Sequence, residues 1–232
     1  MRNVLILDTE TTGLDPDTDH VIEVGAILYS VEHGAVIESF ASLVRSENNA
    51  AEAINRIPAT TLRVAPVKDY VIERVIELAD EADALVAHRA EFDKSFLVPL
   101  SASFLGYNWI CSKFDIKWPK QTREGSSLVP LALEHDLGVA YAHRALADCD
   151  LIARLFTRSR ELGADLNAML TRAMRPKATF VAQVSYDDRQ LAKDAGFQWN
   201  GDTRLWTKRC FIDDASALPF RVRPLNNELV SQ

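Results

Sequence analysis

The stretch Asn3-Val4-Leu5-Ile6-Leu7-Asp8-Thr9-Glu10-Thr11-Thr12-Gly13 decides the fold. Asn3 to Asp8 reads as a mostly apolar, buried strand that runs into a polar turn at Thr11-Thr12-Gly13. Asp8 and Glu10 are two apart, so on a strand both carboxylates leave the same face. Two like charges side by side at the end of an apolar strand are unfavourable unless something neutralises them. Outward from this strand, His20–Ser30 and Ala35–Arg45 are β-rich runs separated by the turn-like Glu32-His33-Gly34. Three meandering strands at the start of a chain predict one edge of a mixed sheet.

The chain then turns helical. Val67, Val71, Arg74, Val75 and Leu78 form an amphipathic stretch, Ala84–Ala87 is a short apolar strand, and Glu91–Phe104 has apolar residues at helical spacing. Trp109–Ser112 is another candidate strand, and Leu128–Leu137 and Arg144–Leu162 read as helices. Strands followed by alternating helices and strands predict an α/β sandwich built on a mixed sheet.

Two of these helices carry an acid in the wrong place for solvation. Asp93 is followed by Phe96, Leu97 and Leu100 at i+3, i+4 and i+7, so its carboxylate lies on the apolar face of its own helix. Asp148 repeats the pattern with Leu151, Ile152 and Leu155. A charged group aimed inward needs a partner or a metal. His143 precedes Asp148 by five residues, which is about 140° of rotation on a helix. The two share a site only if His143 sits on the loop before the helix.

Composition narrows the classes. The chain has 232 residues, 47% hydrophobic and 25% charged, ordinary for a globular protein with one main domain and something small beside it. Its apolar runs are too short to cross a bilayer, and its first residues lack the pattern of a secretion leader. Three widely spaced cysteines, Cys111, Cys149 and Cys210, fit neither a disulfide framework nor a structural zinc site, and point to a reducing cytoplasm. The formal charge of −7 is a poor match to a broad basic nucleic-acid footprint. The charge is uneven: residues 171–232 carry 10 Lys and Arg against 7 Asp and Glu, the rest 16 against 26.

The pattern breaks around Thr171–Lys177, where Pro176 ends any helix. Phe180–Ser185 then reads as a strand and Asp187–Ala195 as a helix stopped at Gly196. Phe197–Trp199 and Leu205–Ile212 flank an Asn200-Gly201 turn as a hairpin. The expected organisation is a domain over 1–165, a small β-α-β-β module over 177–223, and a tail over 224–232. The module's Tyr186, Phe197, Trp199, Trp206 and Phe211, beside Lys193, Arg204, Lys208 and Arg209, are read first as the core that so small a unit needs. A stacking and phosphate-binding surface for single strands is the other reading.

Taken together, Leu5-Ile6-Leu7-Asp8-Thr9-Glu10-Thr11-Thr12-Gly13-Leu14, Val86-Ala87-His88-Arg89-Ala90-Glu91-Phe92-Asp93 and His143-Arg144-Ala145-Leu146-Ala147-Asp148 resemble the three motifs of the DEDDh exonucleases. The resemblance covers about residues 1–165. It implies an RNase H-like fold, a mixed five-stranded sheet flanked by helices, and 3′→5′ hydrolysis of phosphodiesters that releases nucleoside 5′-monophosphates. Asp8, Glu10, Asp93 and Asp148 would hold two Mg²⁺ or Mn²⁺ ions, hard cations suited to oxygen-only ligands. His143 would be the general base that takes a proton from the attacking water. The backbone of Thr11, Thr12 and Gly13 would approach the terminal nucleotide, with Leu14 beside its base and His88, Arg89 and Phe92 as further substrate contacts. Phe92 fits core packing equally well. Where the family usually has asparagine after the position of His88, this chain has Arg89. The expected partner is the 3′ end of a nucleic acid, single-stranded DNA ahead of RNA, with no membrane. An RNA-trimming enzyme, a polymerase-associated proofreading subunit and a catalytically silent nucleic-acid-binding protein stay open as alternatives.

Overall fold

The structure, a computed structural model, describes residues 1–141 and 143–225. The chain divides into two compact units, Met1–Met174 and a second from Arg175 on. In the first, β1 (Asn3–Thr11), β2 (Val21–Ser30) and β3 (Ala35–Leu43) are followed by two short helices, α1 (Glu52–Asn55) and α2 (Ala59–Leu62). Then come α3 (Lys68–Asp80), β4 (Ala84–Ala87), α4 (Ala90–Leu97), a 3-10 turn (Ala102–Leu105), β5 (Trp109–Cys111), α5 (Leu128–Glu134), α6 (Ala145–Glu161) and α7 (Leu166–Ala173). The sheet order is β3-β2-β1-β4-β5. β1, β2 and β3 pair antiparallel, while β4 runs parallel to β1 and β5 parallel to β4. This is the five-stranded mixed sheet the resemblance implies.

Strand parity sorts the core into two layers. On β1, Val4 and Ile6 pack with Ile27 and Tyr29 against Cys149, Ile152, Leu155 and Phe156 of α6. Leu5 and Leu7 point the other way, to Val71, Val75 and Leu78 of α3 and Phe96 and Leu97 of α4. β1 is covered on both sides, which is why its sequence is an unbroken apolar run rather than an alternation. Helix α6 lies close upon β2 at Gly25. A Cβ there would stand 2.4 Å from the carbonyl carbon of Ala145 and the nitrogen of Leu146. The Cys149 thiol also rests on this seat, 3.4 Å from the Gly25 carbonyl oxygen and 3.7 Å from that of Ile6.

Several elements differ from the sequence reading. β1 continues through Thr11, so the polar turn starts one residue later than expected. The helix expected over 91–104 ends at Leu97, because Pro99 has no N–H to give and crowds the preceding turn. α5 ends at Glu134 rather than Leu137: Asp136 takes φ 62°, and the N–H of Leu137 turns back to the carbonyl of Ala132. The first unit also takes in α7, past the expected end at 165, its start capped by the Asp165 carboxylate accepting from the Ala168 N–H at 3.0 Å.

The second unit contains β6 (Lys177–Ala182), α8 (Arg189–Asp194), β7 (Gln198–Asn200), β8 (Leu205–Phe211), α9 (Ile212–Ala215) and β9 (Val222–Pro224). Its antiparallel sheet has the order β7-β8-β6-β9. The expected β-α-β-β unit is therefore extended by a helix and a fourth strand. That strand is three residues long and contains a proline, tolerable at a sheet edge and invisible to pattern reading. It crosses the expected boundary at 223/224, and residues 226–232 of the expected tail lie outside the described residues. The β7–β8 connection is longer than the expected Asn200-Gly201 turn: the Asn200 side-chain oxygen accepts from the N–H groups of Asp202 and Thr203, and Arg204 closes the loop with φ 55°. No helix among the described residues is long and apolar enough to cross a membrane.

The Gly25 seat makes a packing prediction. Gly25→Ala forces α6 off β2, and overpacking of this kind costs about 1–3 kcal/mol. A thermal melt followed by circular dichroism should show a clearly lowered Tm, and an unchanged Tm would contradict the seat.

Candidate active site

Asp8 and Glu10 continue the β1 face that begins with Val4 and Ile6, so both point toward α6. Asp148 meets them there from the first turn of α6, one turn before the buried Ile152. One carboxylate oxygen from each of Asp8, Glu10 and Asp148 lies within 4.8 Å of the others, and all three side chains keep some exposure. The arrangement opposes full ionisation. Burial, then the charges of Asp93, Asp148, Glu10 and Glu23, push the Asp8 carboxyl well above the usual carboxylate range. Burial, then Asp148 and Glu23, push Glu10 to about 7 against the pull of Arg144. Burial also raises Asp148, opposed by the neighbouring His143 and its backbone N–H. An oxygen-only set of crowded acids is a fit for hard divalent cations and a poor one for zinc.

Asp93 comes from the other side of the sheet. It is buried on α4, and its Oδ1 accepts from the Thr9 N–H at 3.0 Å and from the Thr9 hydroxyl at 2.9 Å. Burial raises it to about 7 despite those two bonds. Thr9 lies on the opposite face of β1 from Asp8, so the fourth acid stands beside the three-carboxylate cluster rather than within it. Its charge is nevertheless the largest electrostatic influence on Asp8.

His143 is exposed, on the loop before α6, with φ 62°. Of the other expected residues, Thr11 and Thr12 are buried and Leu14 is 80% exposed. Thr12 exchanges backbone and side-chain bonds with Asp19 and His20, and a Cβ on Gly13 would strike the Asp19 carboxylate at 2.3 Å. The 11–14 turn is thus held tightly up to the point where Leu14 leaves it. His88 follows β4, its Nδ1 2.9 Å from the Ser112 hydroxyl, with the Ser126 backbone also beside the ring. Burial, with Lys113 and Arg89 nearby, lowers His88 to about 4. Phe92 is partly buried against the α3/α4 core, 4.9 Å from the Phe96 ring, and the Arg89 guanidinium lies over it at 5.7 Å. The packing reading of Phe92 therefore holds for one of its faces.

Two residues that sequence reading passed over organise the cluster. Glu23 is buried on β2, opposite Glu10 in register. Its carboxylate accepts two bonds from the Arg144 guanidinium, at 3.0 and 2.7 Å, and one from the Ala145 N–H at 3.1 Å. It therefore caps α6 and fixes the helix start that carries Asp148. The signal was present: Glu23 is an acid inside the apolar run Val21–Leu28. Gly25, two residues on, supplies the close approach.

Arg89 begins α4 with φ 87° and ψ 49°, a left-handed conformation that asparagine tolerates far better than arginine. Arg89→Asn should raise the Tm by a few degrees, equivalent to about 1 kcal/mol, read in a thermal melt; a lowered Tm would show that the guanidinium contact with Phe92 outweighs the strain.

The raised acids give a pH prediction for the metal-free protein. Glu10 and Asp93 keep their protons to about 7 in the folded state but lose them near 4 when unfolded. The folded state then binds more protons between about pH 4 and 7, so stability falls as pH rises through that window. In EDTA the Tm should be higher at pH 5 than at pH 8, and Mg²⁺ should restore most of the difference at pH 8. A Tm that rises toward pH 8 in EDTA would contradict the electrostatics.

Comparison with known proteins identifies a family for the first unit. A family model described as an exonuclease matches residues 5–156, and another, described as a domain of unknown function, matches residues 178–225. The chain is 28% identical over 163 residues to a DNA polymerase III PolC-type of Thermotoga petrophila, an alignment covering 68% of this chain and 12% of that protein. The chain thus spans only a small part of the polymerase relatives it matches. Among solved structures, Exonuclease X in complex with 5′-overhanging duplex DNA is 27% identical, with a TM-score of 0.54, covering 73% of this chain and 99% of that one. The nuclease domain of 3′hExo, a DEDDh family member bound to rAMP, shares the fold at 19% identity and a TM-score of 0.58, over 71% of this chain and 94% of that one.

Proposed function

This chain belongs to the DEDDh family and is a 3′→5′ exonuclease; from that premise we propose that it removes nucleotides from the 3′ ends of single-stranded DNA, releasing nucleoside 5′-monophosphates. The observation that carries the reading is the meeting of Asp8, Glu10 and Asp148 within 4.8 Å, with buried Asp93 beside them. Members of the family use divalent metals, and these four acids are the residues that would hold two Mg²⁺ or Mn²⁺ ions. When bound, such a pair supplies charge stabilisation to the attacking and leaving oxygens of an in-line displacement.

The remaining work falls to the chain itself. His143, exposed and next to Asp148, takes the proton of the attacking water as general base. Its loop position lets the ring swing over the acids, which a mid-helix residue could not do. The well-held 11–13 turn presents backbone groups to the terminal nucleotide, and the exposed Leu14 side chain lies against its base. His88, kept neutral by burial, and Arg89, leaning over Phe92, line the approach to that nucleotide. A strand end held in an acid-rich pocket requires few lysines, consistent with the negative charge of residues 1–170. A second reading, trimming of mismatched ends for a polymerase, is favoured by the polymerase relatives.

With a 5′-labelled oligonucleotide, Asp8→Ala should abolish the degradation ladder in a protein that still folds, and EDTA should do so reversibly on adding Mg²⁺. His143→Ala should lower turnover by about 10²–10⁴-fold. Full turnover in His143→Ala would remove it as the base. Matched DNA and RNA strands in one assay decide the substrate, and faster RNA trimming would overturn the DNA preference.

A further inference from the structure

The aromatic residues of the second unit, read from sequence as its core, divide into two sets. The core is built from Phe180, Ala182, Ala192, Phe197 and Ala215, with Phe197 packed edge-on to Phe220 at 5.5 Å. Tyr186 and Trp199 are left out of it, 78% and 51% exposed, while half-buried Trp206 packs against it. These three rings line one cavity of about 660 Å³ together with Arg189, Lys193 and Arg204.

Its chemistry is one-sided. No carboxylate is among the described residues that line it. The Arg189 guanidinium lies over the Tyr186 ring at 3.9 Å, held by a bond from its Nη1 to the Tyr186 carbonyl. The Lys193 ammonium stands 5.9 Å from the Trp206 ring, and Trp199 and Trp206 are 5.5 Å apart with planes tilted by 55°. Arg204 is carried into the cavity at φ 55°, by the loop that folds over the Asn200 side chain. Tyr186 and Trp199 leave ring surface unburied, and Arg189, Lys193 and Arg204 bring three positive charges to the same cavity. A ligand with flat π faces joined by anions covers such rings and neutralises such charges.

We propose that this cavity is a binding site for single-stranded nucleic acid, with a base stacked on Trp199 and the adjoining phosphates held by Arg189, Lys193 and Arg204. Stacking on an aromatic face is sequence-tolerant and strong in single strands, whereas an acidic peptide makes no use of exposed indole faces. The site is separate from the acid cluster of the first unit and requires no metal.

The test uses the whole chain in EDTA, so that no hydrolysis occurs, and a 5′-fluorescein dT 20-mer read by anisotropy at low salt. Trp199→Ala and Lys193→Gln, each shown by circular dichroism to be folded, should weaken binding about tenfold. Trp199→Phe, which keeps a π face, should stay within about threefold of the unchanged chain. Lys193→Gln should also flatten the salt dependence by about 0.7 in log Kd against log salt, the loss of one phosphate contact to a single strand. A 20-mer of abasic sites should bind weakly and be indifferent to Trp199→Ala. In Mg²⁺, both variants should hydrolyse a dinucleotide at the unchanged rate, which separates this site from the catalytic one. Unaltered 20-mer affinity in both folded variants overturns the proposal. So does competition by polyglutamate equal to that of the 20-mer, which would mark a site for acidic peptides.

Discussion

Like charges crowded at the end of a buried strand are the constraint on which the first unit turns. Asp8 and Glu10 are held side by side by the antiparallel pairing of that end of β1 with β2, opposite Gly25 and Glu23. The acids cannot all ionise without a counter-charge, as the raised Asp8, Glu10 and Asp93 show. The fold holds a state that is unfavourable by itself and becomes favourable when a cation enters. The pairing of β1 with β2 and the seat of α6 hold the acids together against that repulsion. Such preorganisation is what a displacement at phosphorus needs, since most of its catalysis is positioning and electrostatics.

The third acid reaches the cluster through a seat with little tolerance. Asp148 is placed by the start of α6, and that start is set by two residues of β2 with opposite requirements. Gly25 must be small enough for the Ala145–Leu146 backbone to touch the strand. Glu23 must be long enough to grip Arg144 and accept the Ala145 N–H. One removes bulk and the other adds a charge-assisted bond, and together they define where a helix begins. Asp93 is held differently, by two bonds from Thr9. The four acids therefore depend on three separate local devices, all converging on the C-terminal end of β1.

The second unit shows a different relation between sequence and surface. With so few residues it cannot hide every aromatic ring, and Phe180 and Phe197 take the interior while Trp199 and Tyr186 stay in solvent. Its excess of basic residues contrasts with the acidic stretch before it.

Local periodicity made much of this legible. The unbroken apolar run of β1, the two-residue spacing of Asp8 and Glu10, and the inward acids at Asp93 and Asp148 are properties of one strand or one helix, and each is visible without its neighbours. The loop position of His143 followed from helical rotation once it was taken to share a site with Asp148. The rest depends on pairs remote in sequence. The contact of Gly25 with Ala145, the grip of Glu23 on Arg144, the approach of Asp93 from the opposite face of the sheet and the exposure of Trp199 have no local signature. Periodicity states which way a side chain points from its own backbone. It cannot state what stands opposite, because that is set when separate elements pack together.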